Sequence, residues 1–255
     1  MYVVRYLSGS GRGPIQYGYL DGDKVGSVSG DIFGEFTRGE IVASLAEVAL
    51  LPPVAPSKVL TLGVNFADQL RAAGLEAPSL PPLFFKAPSS IIGPGAAIRL
   101  PAQSQSVEFG AALAVVIGRA GRWISPETAS RHILGYTCAG DVRALDIAGL
   151  DQGWTRAASF DTFCPLGPAI ATQANPTELI IRSAVNGTTR QMTSTHDMLF
   201  SVAQVVAFAS GAMTLLPGDV ILMGTPGGAG QVSAGDTVEV TIEGVGVLSN
   251  PVLAE

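Results

Sequence analysis

One segment of this chain reads as a strong helix, and strand patterns flank it. In "MLFSVAQVVAFASGAMTLLPGD" the apolar residues recur at helical spacing from about Phe200 to Met213, and a Pro217-Gly218 turn ends the run. Three strand candidates come after it, "VILMG", "TVEVTI" and "VGVLSNP", and "VEFGAALAVVIG" is a strand pattern ahead of it. Strands on either side of an isolated helix, without regular alternation of strand and helix, predict a mixed, β-rich α+β fold with few helices rather than a wound parallel sheet.

The leading residues form a unit of their own. Tyr2–Leu7, Ile15–Leu20 and Lys24–Val28 read as strands separated by "SGSGRGP" and "DGD" turns, and Val42–Leu51 reads as helical. The proline-rich "LPPVAPS" (Leu51 to Ser57) serves as a linker, so residues 1–55 are expected to form a small β module ahead of a main domain at 56–255. A further helix is expected at "SPETASRHI", with Ser125 as cap and Pro126 at the first helical position. Gly9, Gly11 and Gly13 give a G-x-G-x-G run. Pro14 and an alternating "IQYGYL" come next instead of a helix, so the run reads as a hairpin loop and not a dinucleotide site.

Composition removes several classes of function. Net charge is −6 and the 15 basic residues are scattered, which disfavours nucleic acid. No apolar tract reaches the length of a membrane span, and "MYVVRYLSGS" lacks the pattern of a signal peptide. Charged residues make up only 14% of the chain, which suits a homodimer or a hetero-oligomer with a paralogue. Cys138 and Cys164 form no metal-type spacing and no disulfide framework, so a reduced, cytoplasmic setting is expected, with Cys138 a buried, inert thiol. With only two histidines, His132 and His196, both read as structural or surface residues, a multi-histidine zinc site is ruled out.

Three segments carry the chemistry. "TLGVNFADQLRAAG" (Thr61 to Gly74) is an apolar strand that breaks at Gly63 into a polar flap, the form of a pocket rim. "GDVRALDIAGLDQGWTRAASFDTFCPLGP" (Gly140 to Pro168) concentrates Asp141, Arg143, Asp146, Asp151, Arg156 and Asp161 in a charge-poor protein, with Trp154, Phe160 and Phe163 between them. Charges are costly to bury unless paired, so this connection reads as a pocket wall that overlaps a subunit interface. "ILMGTPGGAG" ends a strand in Thr225-Pro226-Gly227, a loop where backbone amides and a hydroxyl can approach a small ligand.

Together with "FFKAPSS", "IIGPGAAIRLP", "GYTCAGDV", "VNGTTRQ" and "GDTVEV", these blocks resemble the fumarylacetoacetate hydrolase family from about Val59 to Pro251. The resemblance implies a mixed β-roll, dimeric or higher, whose members hydrolyse, decarboxylate or tautomerise small 2-oxo and 1,3-dicarbonyl acids with Mg²⁺ or a similar ion. It also implies metal ligands at Gly110, Ala112 and Asp141, of which only Asp141 is a carboxylate here. Glu108 lies two residues before the first ligand position, on the same strand face but roughly 6–7 Å away. The His-x-x-Glu of hydrolytic members falls on Gln69 and Ala72, their lysine on Ala158, and an Arg and Gln of many members on Leu145 and Ala148. An amide does not titrate near neutral pH, so Gln69 cannot activate water.

The expected function is therefore a metal-independent, non-hydrolytic pocket for a small carbonyl or 2-oxo-acid-like ligand, acting as an isomerase, tautomerase or cyclase, with no cofactor. The alternative is a non-catalytic subunit or small-molecule binder, and the third reading an ordinary Mg²⁺-dependent C–C hydrolase or decarboxylase. Asp141 is expected to be the acid or base, its pKa raised by burial away from an ion, and Gln69 a hydrogen-bond donor. Phe66, Lys86, Ser89, Trp154, Thr225, Pro226 and Gly227 are expected to contact the ligand. With its charged groups replaced, the pocket should be apolar.

Overall fold

The computed structural model describes residues 1–11 and 13–255; Arg12, in the expected "SGSGRGP" turn, lies outside them. Two long strands, Val107–Ile117 and Ile133–Ala144, pair antiparallel along nearly their whole length. They form the centre of a 13-stranded sheet whose main path runs Phe36–Ser44, Lys24–Gly30, Ile15–Asp21, Tyr2–Leu7, Cys164–Ala171, Ile133–Ala144, Val107–Ile117, Val220–Leu222, Val59–Leu62, Leu83–Lys86. A second sheet of five strands runs Thr188–Ser194, Ile180–Val185, Thr237–Ile242, Gly246–Ala254, Ile98–Leu100.

The run "VEFGAALAVVI" is buried on both faces because each face has its own cover. Phe109, Ala111, Leu113, Val115 and Ile117 pack with Ile181, Val240 and Ile242 of the five-stranded sheet and with Val205 and Val206 of the long helix. Ala112, Ala114 and Val116 face the opposite way, towards Val3, Val59, Leu166 and Leu222. Helices are few: α1 (Ser8–Gly11), α2 (Ala67–Ala73), α3 (Leu145–Asp151) and α4 (Val202–Ala212). α4 is the helix expected at 200–213, shortened because Ser201 caps it. The Ser201 hydroxyl accepts from the Gln204 amide at 3.3 Å, and Gln204 Oε1 accepts from the Ser201 amide at 2.9 Å. Among the described residues no helix is long and apolar enough to cross a membrane.

Two expected helices are corrected. The segment expected to be helical at Val42–Leu51 ends the strand Phe36–Ser44, makes one 3₁₀ turn at Leu45–Glu47 and pairs again at Ala49–Leu50. Ladder partners at Lys24–Gly30 and Tyr2–Leu7 override its local helical preference. The "SPETASRHI" segment is a 3₁₀ helix, Pro126–His132, that runs directly into the strand from Ile133. The G-x-G-x-G run joins two antiparallel strands, Tyr2–Leu7 and Ile15–Asp21. Tyr2 and Val3 also pair with Ala171 and Ile170, so the leading strands extend the large sheet.

Candidate active site

Three elements meet at one end of the two long strands. The strand Val59–Leu62 breaks at Gly63, and the buried Asn65 pins the chain just beyond the break. Its Nδ2 donates to Met223 O at 2.9 Å and Phe200 O at 3.2 Å, and its Oδ1 accepts from Phe200 N at 2.8 Å. That clamp seats α2, which ends at Gly74 in the left-handed conformation (φ 64°), the usual way to stop a short helix. Opposite α2, the loop Thr225–Gly228 is tied down by the buried Gln191. Gln191 Nε2 donates to Thr225 Oγ1 at 3.0 Å and to Pro226 O at 2.7 Å, while its Oε1 accepts from Ala111 N at 2.8 Å. The long strands supply the floor, where Gly110 lies opposite Asp141 and Glu108 opposite Arg143 in the ladder. Between these walls is a cavity of about 480 Å³.

The floor holds a buried charge cluster. Lys86 Nζ donates to Asp141 Oδ1 and to Val142 O, each at 2.9 Å. Arg143 Nε donates to Asp141 Oδ2 at 3.0 Å, and its Nη2 contacts the same oxygen and Leu62 O, the latter at 3.1 Å. The guanidinium is also placed between the Phe84 and Trp154 rings, 5.4 and 5.3 Å from their centroids, a cation–π arrangement that fixes its plane. Asp141, Lys86 and Arg143 are 2%, 1% and 7% exposed. Two cations against one carboxylate leave one positive charge in excess, and only Arg143 of the two cations lines the cavity.

Of the residues expected to form the site, Asp141, Gln69, Trp154, Thr225, Pro226 and Gly227 do line this cavity. Phe66, fully buried, belongs to the apolar core, and Ser89 is exposed on the 3₁₀ turn Pro88–Ser90; neither reaches the cavity. Lys86 stands behind Asp141 and acts on the site through it. Asp146, Asp151 and Arg156 turn away: Asp146 accepts from Ser104 and Gln105, and Asp151 pairs with Arg156 near the surface. Cys138 is buried, as expected, with its pKa pushed up to about 12 by burial. His196 lies at the surface.

Two expectations about charge are overturned. Burial alone would raise the Asp141 pKa, but Arg143 and Lys86 outweigh it and hold the carboxyl well below the usual carboxylate range. Held between two cations, Asp141 is favoured as the anion, which runs against the acid or base role expected for it. Nor is the pocket emptied of charge, because Arg143 brings a guanidinium into its floor. Gln69 differs in a smaller way. Its Nε2, the donor expected for the ligand, donates instead to Gly63 O at 3.1 Å, and its Oε1 is buried without a hydrogen-bond partner.

Arg143 and Glu108, named in the sequence as part of the pocket wall and as a neighbour of the first ligand position but given no role there, both line the cavity. Strand alternation held the signal for Arg143, since a residue two beyond Asp141 shares its face. Glu108 is half-buried, and burial raises its pKa against an opposing effect of Arg143. Of the two carboxylates that line the cavity, it is the one whose pKa is raised.

Residues 58–253 match the family model described as fumarylacetoacetate (FAA) hydrolase, C-terminal. The chain belongs to the fumarylacetoacetate hydrolase family. Residues 1–53 match a second model, Rv2993c-like, N-terminal. Protein Rv2993c of Mycobacterium tuberculosis is 46% identical over 212 residues, covering 82% of this chain and 80% of that one. The mitochondrial oxaloacetate tautomerase fahd2 of Xenopus laevis is 41% identical over 225 residues, 83% of this chain and 70% of that one. The crystal structure of 5-carboxymethyl-2-hydroxymuconate delta-isomerase from Mycobacterium smegmatis superposes with a TM-score of 0.92 at 40% identity, covering all of both chains.

The divalent ion implied by the fumarylacetoacetate hydrolase family does not fit the residues present here. Gly110 and Ala112 carry no donor atom, and a Cβ at Gly110 would lie 2.9 Å from Thr225 Cβ and closer still to its hydroxyl. Ala112 is sealed into the apolar face. Both oxygens of Asp141 already face cations. Among the described residues no group of three or more His, Cys, Asp or Glu comes together to share an ion.

Proposed function

We propose that this family member is a keto–enol tautomerase or isomerase of a small 2-oxo acid, in which Arg143 supplies the positive charge that a divalent ion would otherwise supply. The observation that carries this reading is the guanidinium bound to Asp141 on the cavity floor, with one positive charge in excess across the Asp141–Lys86–Arg143 cluster. The names of two relatives, an oxaloacetate tautomerase and a delta-isomerase, support the reaction class.

The chemistry needs an electrophilic anchor, a base and a proton donor. Arg143 and the excess charge stabilise the oxyanion as it develops. Glu108, as carboxylate, takes the proton from the carbon next to the 2-oxo group. That C–H electron pair becomes the C=C bond of the enolate, and the carbonyl π electrons move onto oxygen. The Thr225 hydroxyl oxygen accepts from Gln191, so its proton is free to point at that oxygen. The proton on Glu108 returns to oxygen to give the enol, or to a different carbon to give the isomer. Asp141 only holds Arg143 and Lys86 in place. On the flap, Gln69 and Ala72 carry no group that titrates near neutral pH, so the flap offers water no base and C–C hydrolysis is not expected.

The test is proton–deuterium exchange at C3 of 2-oxobutanoate in D₂O, monitored by NMR with a chelator present. Exchange well above the uncatalysed rate and lost in Glu108→Gln supports the reading. Binding without exchange leaves a small-molecule binder in its place, and exchange that needs added Mg²⁺ contradicts it.

A further inference from the structure

We infer that the ligand of this cavity is a 2-oxo acid with a single carboxylate and an apolar tail, and that Glu108 and Leu145 exclude dicarboxylates. The inference rests on the tautomerase reading of the same site. Its basis is the distribution of charge around the cavity wall. Among the described lining residues Arg143 is the one cation, and its Nε and Nη2 are already held by Asp141 and Leu62 O. What remains is the Nη1 end, which donates one long N–H bond of 3.5 Å to Gly63 O and keeps its second N–H for one end of a small anion. Lys86 cannot serve a second carboxylate, because it is fully buried with its ammonium on Asp141 and Val142.

The rest of the wall disfavours a second negative charge. Glu108 lies directly across the ladder from Arg143, so a ligand anchored on the guanidinium meets a carboxylate close by. Most of the other lining side chains are apolar, among them Val64, Ala72, Leu75, Phe109, Leu145 and Trp154. A distal carboxylate placed against them would be desolvated without a partner, whereas an alkyl tail would gain from burial.

The experiment is calorimetric titration of the whole protein with 2-oxobutanoate, 2-oxopentanoate and 4-methyl-2-oxopentanoate, against oxaloacetate and 2-oxoglutarate of similar size. The monocarboxylates are expected to bind at least about tenfold more tightly. In Leu145→Arg, which adds a cation to the apolar wall, the dicarboxylates should gain about tenfold relative to the monocarboxylates. Tighter binding of dicarboxylates by the unaltered protein would overturn the inference while leaving the tautomerase reading intact. So would a folded Leu145→Arg variant with unchanged preference. Absence of binding by every 2-oxo acid would overturn both.

Discussion

At the scale of single residues, the proposed reading turns on the guanidinium of Arg143 bound to the buried Asp141. Truncating Arg143 to alanine leaves Asp141 with Lys86 alone, and loss of one partner from a buried charge cluster costs about 3 kcal/mol or more. Denaturant unfolding should read that loss, and calorimetry should show ligand affinity falling about 10- to 100-fold, as expected for a lost charged hydrogen bond. Arg143→Lys keeps the charge without the fork and should lie between the two. Protonation gives a second set of expectations. Asp141 has a folded pKa below its unfolded value, so its contribution to stability is present above the ordinary carboxylate pKa and is lost as pH falls through the depressed one. Glu108 has the opposite shift, caused by burial. As the base it must be ionised, so the rate should fall with decreasing pH through a pKa above the ordinary glutamate value. A pH–rate profile with its acid limb at or below that ordinary value would contradict the assignment.

At the scale of elements, much of the site could be read in advance because it lies at strand ends. The break at Gly63, the flap with Gln69 and the loop from Thr225 to Gly227 are each marked by an apolar run meeting glycine or proline, and all three reach the cavity. Lys86 and Arg143 are harder to read. Their roles depend on the register that sets Gly110 opposite Asp141 and Glu108 opposite Arg143, and register is a property of two strands. Phe66 departs from expectation because the side chain after Asn65 turns into the core while the chain itself enters the rim. The close approach of Thr225 to Gly110 gives a test of this packing. Gly110→Ala must displace the 225–228 loop and should cost about 1–3 kcal/mol, read as a lowered melting temperature. At the start of α4, Ser201→Ala removes the helix cap and should cost about 1 kcal/mol in the same measurement.

At the scale of the whole molecule, the scaffold is that of its relatives. The large sheet, the five-stranded sheet and α4 enclose an apolar core on either side of the strand Val107–Ile117, and the superposition on the M. smegmatis isomerase spans the full chain. Such a scaffold tolerates a buried charge cluster at the end of its central strands provided every charge keeps a partner. Asp141, Lys86 and Arg143 meet that condition among themselves. Chelator should therefore leave the melting temperature unchanged, and millimolar Mg²⁺ or Mn²⁺ should not raise it, since only a ligand bound by the native state shifts that equilibrium. The most direct measurement is the rate of C3 proton–deuterium exchange of 2-oxobutanoate, taken with the protein in chelator and again after adding excess Mg²⁺. The expected result is the same enzyme-dependent rate in both. A rate that is absent in chelator and appears with the metal would contradict the role assigned to Arg143.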